Sequence, residues 1–356
     1  MLSPDAPLVL LLHGGSDNLS GKTGLAMLRY RHGPIVAVID PAHAGADLPS
    51  LTGIPRPVPL VADMAEALAY GPAVAVVGLA PSGGRLPAEM RADVRTALQA
   101  GLSLASGLHS RLAEDPEFAA IPLAPGQWIW DLRQEPPGLE VATARAAALP
   151  GRRVLAVGSD MAVGKMSACL ELLAAARRRG LDARFVGTGQ AGILISGQGV
   201  ALDAVRVDYA GGAVEAAVLQ AAQGAGPDSL VLVEGQGSLA HPGSTATLPL
   251  LRGSQPTDLL LVHRAGQLQV RTRPGAAAVA VPPLPELIAA NEALAALGRP
   301  DGQRPRVQAI ALNTALLEPE AAQREAARLA DLTGLPVCDP VRQGADPLLD
   351  ALLAWA

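Results

Sequence analysis

The feature that most constrains this chain is a strand-to-helix junction near its middle, at residues 154–167 (VLAVGSDMAVGKMS). A short apolar strand leads into Gly158, and Gly164-Lys165 then opens a predicted helix over residues 165–179. Inward-pointing backbone N–H groups, the positive end of the helix dipole and a lysine ammonium together bind phosphate. The residues predicted to contact a phosphate-bearing ligand are Gly158, Ser159, Asp160, Val163, Gly164, Lys165, Met166 and Ser167.

This motif departs from the common P-loop in two ways. Five residues separate Gly158 from Gly164, one more than in the common pattern. Met166 stands directly after the lysine, where a Ser or Thr hydroxyl normally ligates Mg²⁺, and Ser167 follows one residue later. Because a helix turns about 100° per residue, Ser167 points in another direction. The sequence therefore favours phosphate binding over ATP hydrolysis. A lysine of a phosphate-binding loop contacts its ligand, so we also expect Lys165 to face solvent.

Composition excludes several classes of function. With 356 residues the chain has room for two domains. The net charge is −5, and only 2% of the residues are aromatic. The sequence therefore indicates neither a basic surface for the phosphate backbone nor aromatic side chains for base stacking, and we expect no nucleic-acid partner. No apolar run reaches the ~18 residues of a membrane helix, so we expect no membrane partner. Two cysteines and a beginning without a basic segment indicate a cytoplasmic protein, which we expect to be a homo-oligomer.

Short apolar runs alternate with longer alanine-rich amphipathic stretches in both halves, the pattern of parallel sheets covered by helices. Strands are predicted over residues 8–12, 35–39, 74–77, 102–106, 154–157, 183–186, 230–233, 259–263 and 307–312. Helices are predicted over residues 22–30, 62–69, 88–100, 165–179, 212–222, 284–297 and 319–332. Residues 134–150, with paired prolines and a glycine, are predicted to be a linker. We therefore predict an α/β protein with an N-terminal Rossmann-like domain (residues 1–140) and a C-terminal P-loop NTPase-like domain with a parallel sheet (residues 150–356).

Polar residues after the predicted strands are further candidates, because ligands of open α/β sheets bind at the carboxyl ends of strands. Glu234 follows the strand at 230–233 and is predicted to be catalytic or, in an ATP-dependent enzyme only, a Mg²⁺ ligand. His241 lies a few residues further on and is the candidate general base. Arg264 ends another strand and can bind a substrate carboxylate through its guanidinium.

Glycine-rich segments suggest more substrate contacts. GTGQAG at residues 187–192 satisfies a dinucleotide fingerprint, but the residues after it lack a helical pattern. We therefore predict a ligand-side loop containing Gly189 and Gln190, and no nicotinamide site. Gln236, in the segment GQGS, is a further candidate. Lys22, in a GKT junction of the first half, is predicted to bind a distal phosphate or a substrate carboxylate.

Several motifs resemble those of known proteins. GSDMAVGKMS and VEGQGS are similar to the phosphate loop and the metal-binding glutamate segment of dethiobiotin synthetase. KTGLAMLRY, IVAVID, GSDMAVGKMS, GTGQAGILISGQGV, VEGQGSLAHP and LLLVHR together resemble a two-domain bacterial family that includes the D-glutamate N-acetyltransferases. This second resemblance spans most of the chain. It implies a Rossmann-like domain, a P-loop domain and, for some members, acetyl transfer from acetyl-CoA to the amino group of D-glutamate.

Three functions remain open from the sequence. The leading hypothesis is an N-acyltransferase that moves an acetyl group from acetyl-CoA to an amino acid, with D-glutamate as the expected small-molecule partner. The junction at residues 154–167 would then bind the phosphates of acetyl-CoA, and this binding needs no Mg²⁺. The alternative is a kinase or ligase that uses ATP and Mg²⁺ on a small carboxylate. A third is a nucleotide-sensing module, which needs neither His241 nor Arg264.

Overall fold

The structure, a computed structural model, describes residues 2–81, 83–272 and 275–354. The chain divides into two compact units. The first comprises the residues up to Glu135 together with Gln190–Ala204, and the second comprises Pro136–Gly189 and the residues from Val205 onward. In the described part of the chain, no helix combines the length and the apolar character needed to cross a bilayer.

The first unit is built on a parallel sheet, with six strands in its described residues. They are β1 (Leu8–Leu11), β2 (Ile35–Ile39), β3 (Leu60–Val61), β4 (Val74–Val77), β5 (Ser103–Ser106) and β6 (Ile129–Asp131). Their order across the sheet is β3-β2-β1-β4-β5-β6. The direction of strand addition therefore reverses between β1 and β4, which is where open α/β sheets bind ligands.

Helices cover both faces of this first sheet. They include α1 (Lys22–Tyr30), α2 (Leu48–Thr52), α3 (Met64–Ala67), α4 (Arg91–Gln99) and α5 (Pro116–Ala119). Alternate residues of β1 enter two separate apolar cores, because successive side chains of a strand point to opposite faces. The fold is therefore a Rossmann-like layering of helices on a parallel sheet, as predicted.

The second unit has a parallel sheet of its own, again with six strands among the described residues. They are β7 (Arg152–Gly158), β8 (Ala183–Val186), β9 (Leu230–Val233), β10 (Asp258–Arg264), β11 (Arg306–Asn313) and β12 (Val337–Cys338), in the order β12-β11-β10-β7-β9-β8. The helices of this unit are α6 (Lys165–Arg178), α8 (Val207–Ala221), α9 (Thr247–Ser254), α10 (Leu284–Ala296), α11 (Pro319–Thr333), α12 (Pro340–Gln343) and α13 (Asp346–Leu353), whereas α7 (Gln190–Ser196) belongs to the first unit. The α/β prediction is thus confirmed for both halves.

Helix α7 corrects one prediction. The residues after GTGQAG were expected to form a loop, but Gln190–Ser196 is helical. The prediction was wrong because Ile193 and Leu194 pack into the apolar core of the first unit together with Leu8 and Leu10 of β1. This burial stabilises a helix of only seven residues, which includes one glycine and two β-branched isoleucines.

The predicted linker is anchored to the second unit. The fully buried carboxylate of Glu215, on α8, accepts hydrogen bonds from the backbone N–H groups of Thr143 (3.2 Å) and Arg145 (2.7 Å). The Arg145 guanidinium also donates to it (Nε to Oε2, 2.8 Å). A buried carboxylate with three donors holds this otherwise irregular segment in place.

Candidate phosphate-binding site

The loop between β7 and α6 has the backbone geometry of an anion-binding cradle. Ala162 and Gly164 have positive φ values of 54° and 112°, and the second is a conformation that favours glycine. The N–H groups of Gly164, Lys165 and Met166 donate to no other group among the residues described. Free N–H groups at a helix N-terminus bind anions. We call the segment Gly158–Lys165 the phosphate loop below.

Lys165 lies across the phosphate loop. Its ammonium donates to the backbone oxygen of Asp160 (Nζ to O, 2.8 Å), and its side chain packs over two glycines. A methyl group at Gly158 would lie 2.7 Å from Nζ, and one at Gly235 would lie 2.9 Å from Cδ. The expectation that Lys165 faces solvent is wrong, since only 6% of the residue is exposed. Burial lowers the pKa of Lys165 to about 8.

Glu234 follows β9, beside the phosphate loop. Its Oε2 accepts hydrogen bonds from the N–H groups of Thr188 (2.8 Å) and Gly189 (3.2 Å), and Gln236 Nε2 donates to Oε1 (3.3 Å). Three of the predicted residues, Gly189, Glu234 and Gln236, therefore lie together. Burial raises the pKa of Glu234 to about 7, although the two backbone donors and the charge of Lys165 oppose that rise.

Ser159 and Asp160 hold neighbouring segments to the loop. The Ser159 hydroxyl lies 2.8 Å from Nδ1 of His263, whose pKa burial lowers to about 4. The Asp160 carboxylate accepts from the N–H groups of Met161 (2.6 Å) and Arg271 (2.8 Å) and from Gln267 Nε2 (2.5 Å). Both side chains thus tie the loop to β10 and to the chain after it.

His241 is hydrogen-bonded at both ring nitrogens. Nδ1 accepts from the N–H of Gly243 (3.0 Å), so Nε2 carries the proton and donates to the backbone oxygen of Arg271 (2.6 Å). Arg271 is the residue whose N–H donates to Asp160. His241 therefore supports the chain segment that closes on the phosphate loop, and in this arrangement its ring has no free lone pair.

The end of the loop borders a cavity of about 400 Å³. Its walls include Val163, Ser167 and Val262, and it lies beside Asn313 and Pro340 at the far end of the sheet. Asn313 Nδ2 donates to the backbone oxygen of Val163 (2.9 Å). Sequence reasoning did not select Asn313, although its place at the carboxyl end of β11 would have pointed to it.

The remaining predicted contacts belong to different units. Arg264, at the end of β10, donates from Nη2 to the backbone oxygen of Ala162 (2.6 Å), so it braces the phosphate loop. Lys22 and Gln190 belong to the first unit. Lys22 is exposed at the start of α1, and Gln190 Oε1 accepts from Arg133 Nη2 (2.5 Å).

The donor set beside the loop fits Mg²⁺ poorly. Mg²⁺ prefers hard oxygen ligands in octahedral geometry, yet Met166 presents a thioether at the position next to the lysine. Ser167 lines the adjacent cavity, and Glu234 Oε2 is already engaged by two N–H groups.

Two families of domains match this chain. The family described as "Domain of unknown function (DUF1611_C) P-loop domain" matches residues 140–349, and "Domain of unknown function (DUF1611_N) Rossmann-like domain" matches residues 41–135. The chain belongs to the DUF1611 family. Both the fold class and the family resemblance seen in the sequence are thereby confirmed.

Named relatives match most of the chain, and one of them matches nearly all of it. A protein of Tritonibacter scottomollicae named D-glutamate N-acetyltransferase is 35% identical over 98% of this chain and 99% of its own length. A protein of a Pseudoalteromonas species with the same name is 35% identical over 80% of this chain and 82% of its own length. A crystal structure of a DUF1611 protein from Anabaena variabilis has 52% identity and a TM-score of 0.89, covering 98% of this chain and 100% of that chain.

Proposed function

We propose that this DUF1611 protein is an N-acetyltransferase that moves the acetyl group of acetyl-CoA to the amino group of D-glutamate. One observation carries the proposal: 35% identity over 98% of the chain to a protein named for that reaction. The match covers both units, so it includes the phosphate loop and the first sheet together.

The phosphate loop supports acetyl-CoA as the donor. CoA carries phosphate groups, and the free N–H groups of Gly164, Lys165 and Met166 with the Lys165 ammonium supply the donors and charge to bind one. The adjacent cavity of about 400 Å³ is of the size of small-molecule sites and offers space for the organic part of the same ligand.

The transfer reaction requires a neutral amine and no metal ion. The amine loses a proton, its nitrogen forms a bond to the acetyl carbonyl carbon, the carbon–sulfur bond breaks, and CoA leaves as a thiolate that takes up a proton. A Met beside the lysine is compatible with this chemistry. An ATP-dependent kinase or ligase, the alternative, is favoured only by the placement of Glu234 at a strand end next to the phosphate loop.

Ligand-dependent heat stabilisation tests the choice of ligand. A ligand that binds only the folded chain raises its melting temperature in proportion to the logarithm of its concentration. We expect CoA and acetyl-CoA to stabilise the protein in EDTA, and ATP with Mg²⁺ to do so less. Stabilisation by ATP with Mg²⁺ and none by CoA would contradict the proposal.

The variant Glu234→Gln separates the two enzymes further. In an acetyltransferase the amide keeps the side chain's shape and one oxygen acceptor for Thr188 and Gly189, so we expect acetyl transfer to persist and to remain independent of Mg²⁺. In an ATP-dependent enzyme the same change removes a metal ligand and turnover falls steeply. Rates with and without EDTA, for the parent and the variant, give the comparison.

A further inference from the structure

The first unit has a buried polar cluster at the carboxyl end of β1. His13 follows this strand by two residues, and only 3% of its side chain is exposed. It stands beside the point where the strand order reverses between β1 and β4. Open α/β sheets bind ligands at such a point.

His13 and Asp93 form a hydrogen-bonded pair. His13 Nε2 lies 2.8 Å from Asp93 Oδ2, while Asp93 Oδ1 accepts from the N–H of Met64 (2.7 Å). A carboxylate only accepts hydrogen bonds, so Nε2 donates to it, and in the neutral ring Nδ1 then carries the lone pair. Asp93 is held by the first turn of α4 and by the start of α3, and it fixes both the tautomer and the direction of the ring.

The lone pair of His13 Nδ1 has no partner. Nδ1 is buried, and no donor among the described residues reaches it. The backbone of His13 has φ +38°, a left-handed conformation that residues with side chains rarely adopt. The neighbouring Gly14 borders open space, since a methyl group there would meet no atom within 4 Å. A buried, oriented and unsatisfied acceptor in a segment that borders open space fits a hydrogen-bond donor on a ligand.

The charge around His13 favours a cation over an anion. The segment Gly15–Lys22 repeats the GSD-x₃-GK spacing of the phosphate loop, but the N–H groups of Gly15, Ser16, Gly21 and Lys22 all donate within the first unit. The buried carboxylate of Asp40 accepts from the N–H groups of Gly14 (2.7 Å) and Ser16 (3.2 Å), where a phosphate would bind in the second unit. Asp93 contacts the His13 ring directly, and Asp40, which also contacts His43 (Nδ1 to Oδ2, 3.0 Å), binds the neighbouring Gly14, while Lys22 is exposed to solvent.

We propose that His13 Nδ1 binds the ammonium group of the amino acid that is acetylated, with Asp93 as a positioning residue. The identity of the ligand rests on the proposed function, whereas the free acceptor and its orientation rest on the geometry of the first unit. A primary ammonium offers three donors and a positive charge, so it satisfies both the lone pair and the acidic surroundings.

NMR signals of the His13 ring nitrogens test directly whether Nδ1 binds the ammonium group. In full-length protein labelled with ¹⁵N-histidine, spectra that correlate ring nitrogens with carbon-bound protons separate the two neutral tautomers, and the His13→Asn spectrum identifies the signal. We expect His13 in the Nε2–H form and a shift of its Nδ1 resonance when D-glutamate is added in the presence of CoA. An unshifted Nδ1 resonance in protein that binds D-glutamate overturns the proposal.

The variant Asp93→Asn tests the positioning role. The new amide keeps an oxygen for the Met64 N–H and can turn its NH₂ group toward Nε2, which reverses the tautomer and makes Nδ1 a donor. We expect D-glutamate affinity in calorimetry to fall about tenfold or more, CoA affinity to stay unchanged, and the ring spectrum to switch to the Nδ1–H form. His13→Asn, which tolerates a positive φ, gives a second loss of affinity without relying on the tautomer.

The exposed His32, changed to Asn, is the matched control and leaves D-glutamate binding as in the parent. If both His13→Asn and Asp93→Asn bind D-glutamate as tightly as the parent, this inference is overturned. The proposed function still stands in that case, provided that the parent acetylates D-glutamate. The opposite outcome is also distinguishable. If the parent does not acetylate D-glutamate but its His13 signal shifts when L-glutamate or D-alanine is added, the ammonium site stands and the proposed acceptor is wrong.

Discussion

Lys165 is a cation held where water hardly reaches it. It is buried over Gly158 and Gly235, and its charge is balanced by the Asp160 carbonyl oxygen and by the nearby carboxylates of Asp160 and Glu234. Because burial leaves this ammonium poorly solvated, a phosphate that approaches it meets a strong electrostatic partner. The residue is thus suited to ligand binding and poorly suited to stabilising the empty fold.

The variant Lys165→Met tests that division of roles. Methionine keeps an unbranched apolar stem over the two glycines and removes the charge. We expect CoA affinity in calorimetry to fall by about 10²-fold and the melting temperature to stay equal or rise. Parent-like CoA affinity would show that the phosphate loop is not the CoA site.

The pH dependence of CoA binding follows from the same side chain. Burial lowers the pKa of Lys165 from 10.5 to about 8, and only the protonated form attracts phosphate. We expect CoA affinity to fall by up to about tenfold per pH unit above pH 8, and Lys165→Arg to abolish that fall because arginine stays charged. The contribution of Lys165 to stability has the opposite sign. Between pH 8 and 10.5 the lysine is protonated in the unfolded chain and unprotonated in the folded chain, so the free energy of unfolding rises with pH.

At the scale of elements, the carboxyl ends of β7 and β9 approach so closely that side chains are excluded between them. A methyl group at Gly235 would overlap the backbone oxygen of Ala156 as well as the lysine stem. We expect Gly235→Ala to lower the free energy of unfolding by about 2–3 kcal/mol and to weaken CoA binding. Gly226→Ala is the control, because a methyl group there meets nothing within 4 Å and its effect on denaturant unfolding should be small. Equal unfolding midpoints for the two variants would refute this close approach.

Strands could be predicted from the sequence wherever their apolar pattern was long enough, whereas the helices α2, α5, α9, α12 and α13 were not predicted. Every strand of four or more residues in the described structure lies at a predicted place, because buried parallel strands give continuous apolar runs. The strands β3, β6 and β12 were missed, since two or three residues carry too short a pattern. Helix α7 was missed for a different reason: it is stabilised by the packing of Ile193 and Leu194 against residues of β1 that lie far away in the chain.

At the scale of the whole molecule, the sequence could not show how distant segments share a unit. Residues 190–204 lie within the C-terminal half of the chain but belong to the first unit, through long-range apolar contacts that no local pattern reveals. The phosphate loop could be predicted because its glycines, lysine and helix are adjacent in the chain. The bonds of Asp160 to Arg271 and of Val163 to Asn313 could not, because each joins segments more than a hundred residues apart.

The measurement that tests the central proposal most directly is product formation in EDTA. Purified protein is incubated with acetyl-CoA and D-glutamate, and the reaction is followed by thiol release and by mass spectrometry of the amino acid. We expect N-acetyl-D-glutamate and free CoA to form in equal amounts without any divalent ion, faster than with L-glutamate or D-alanine. Absence of acetylated product, together with ADP formation from ATP and Mg²⁺ in the presence of a carboxylate substrate, would contradict the proposal.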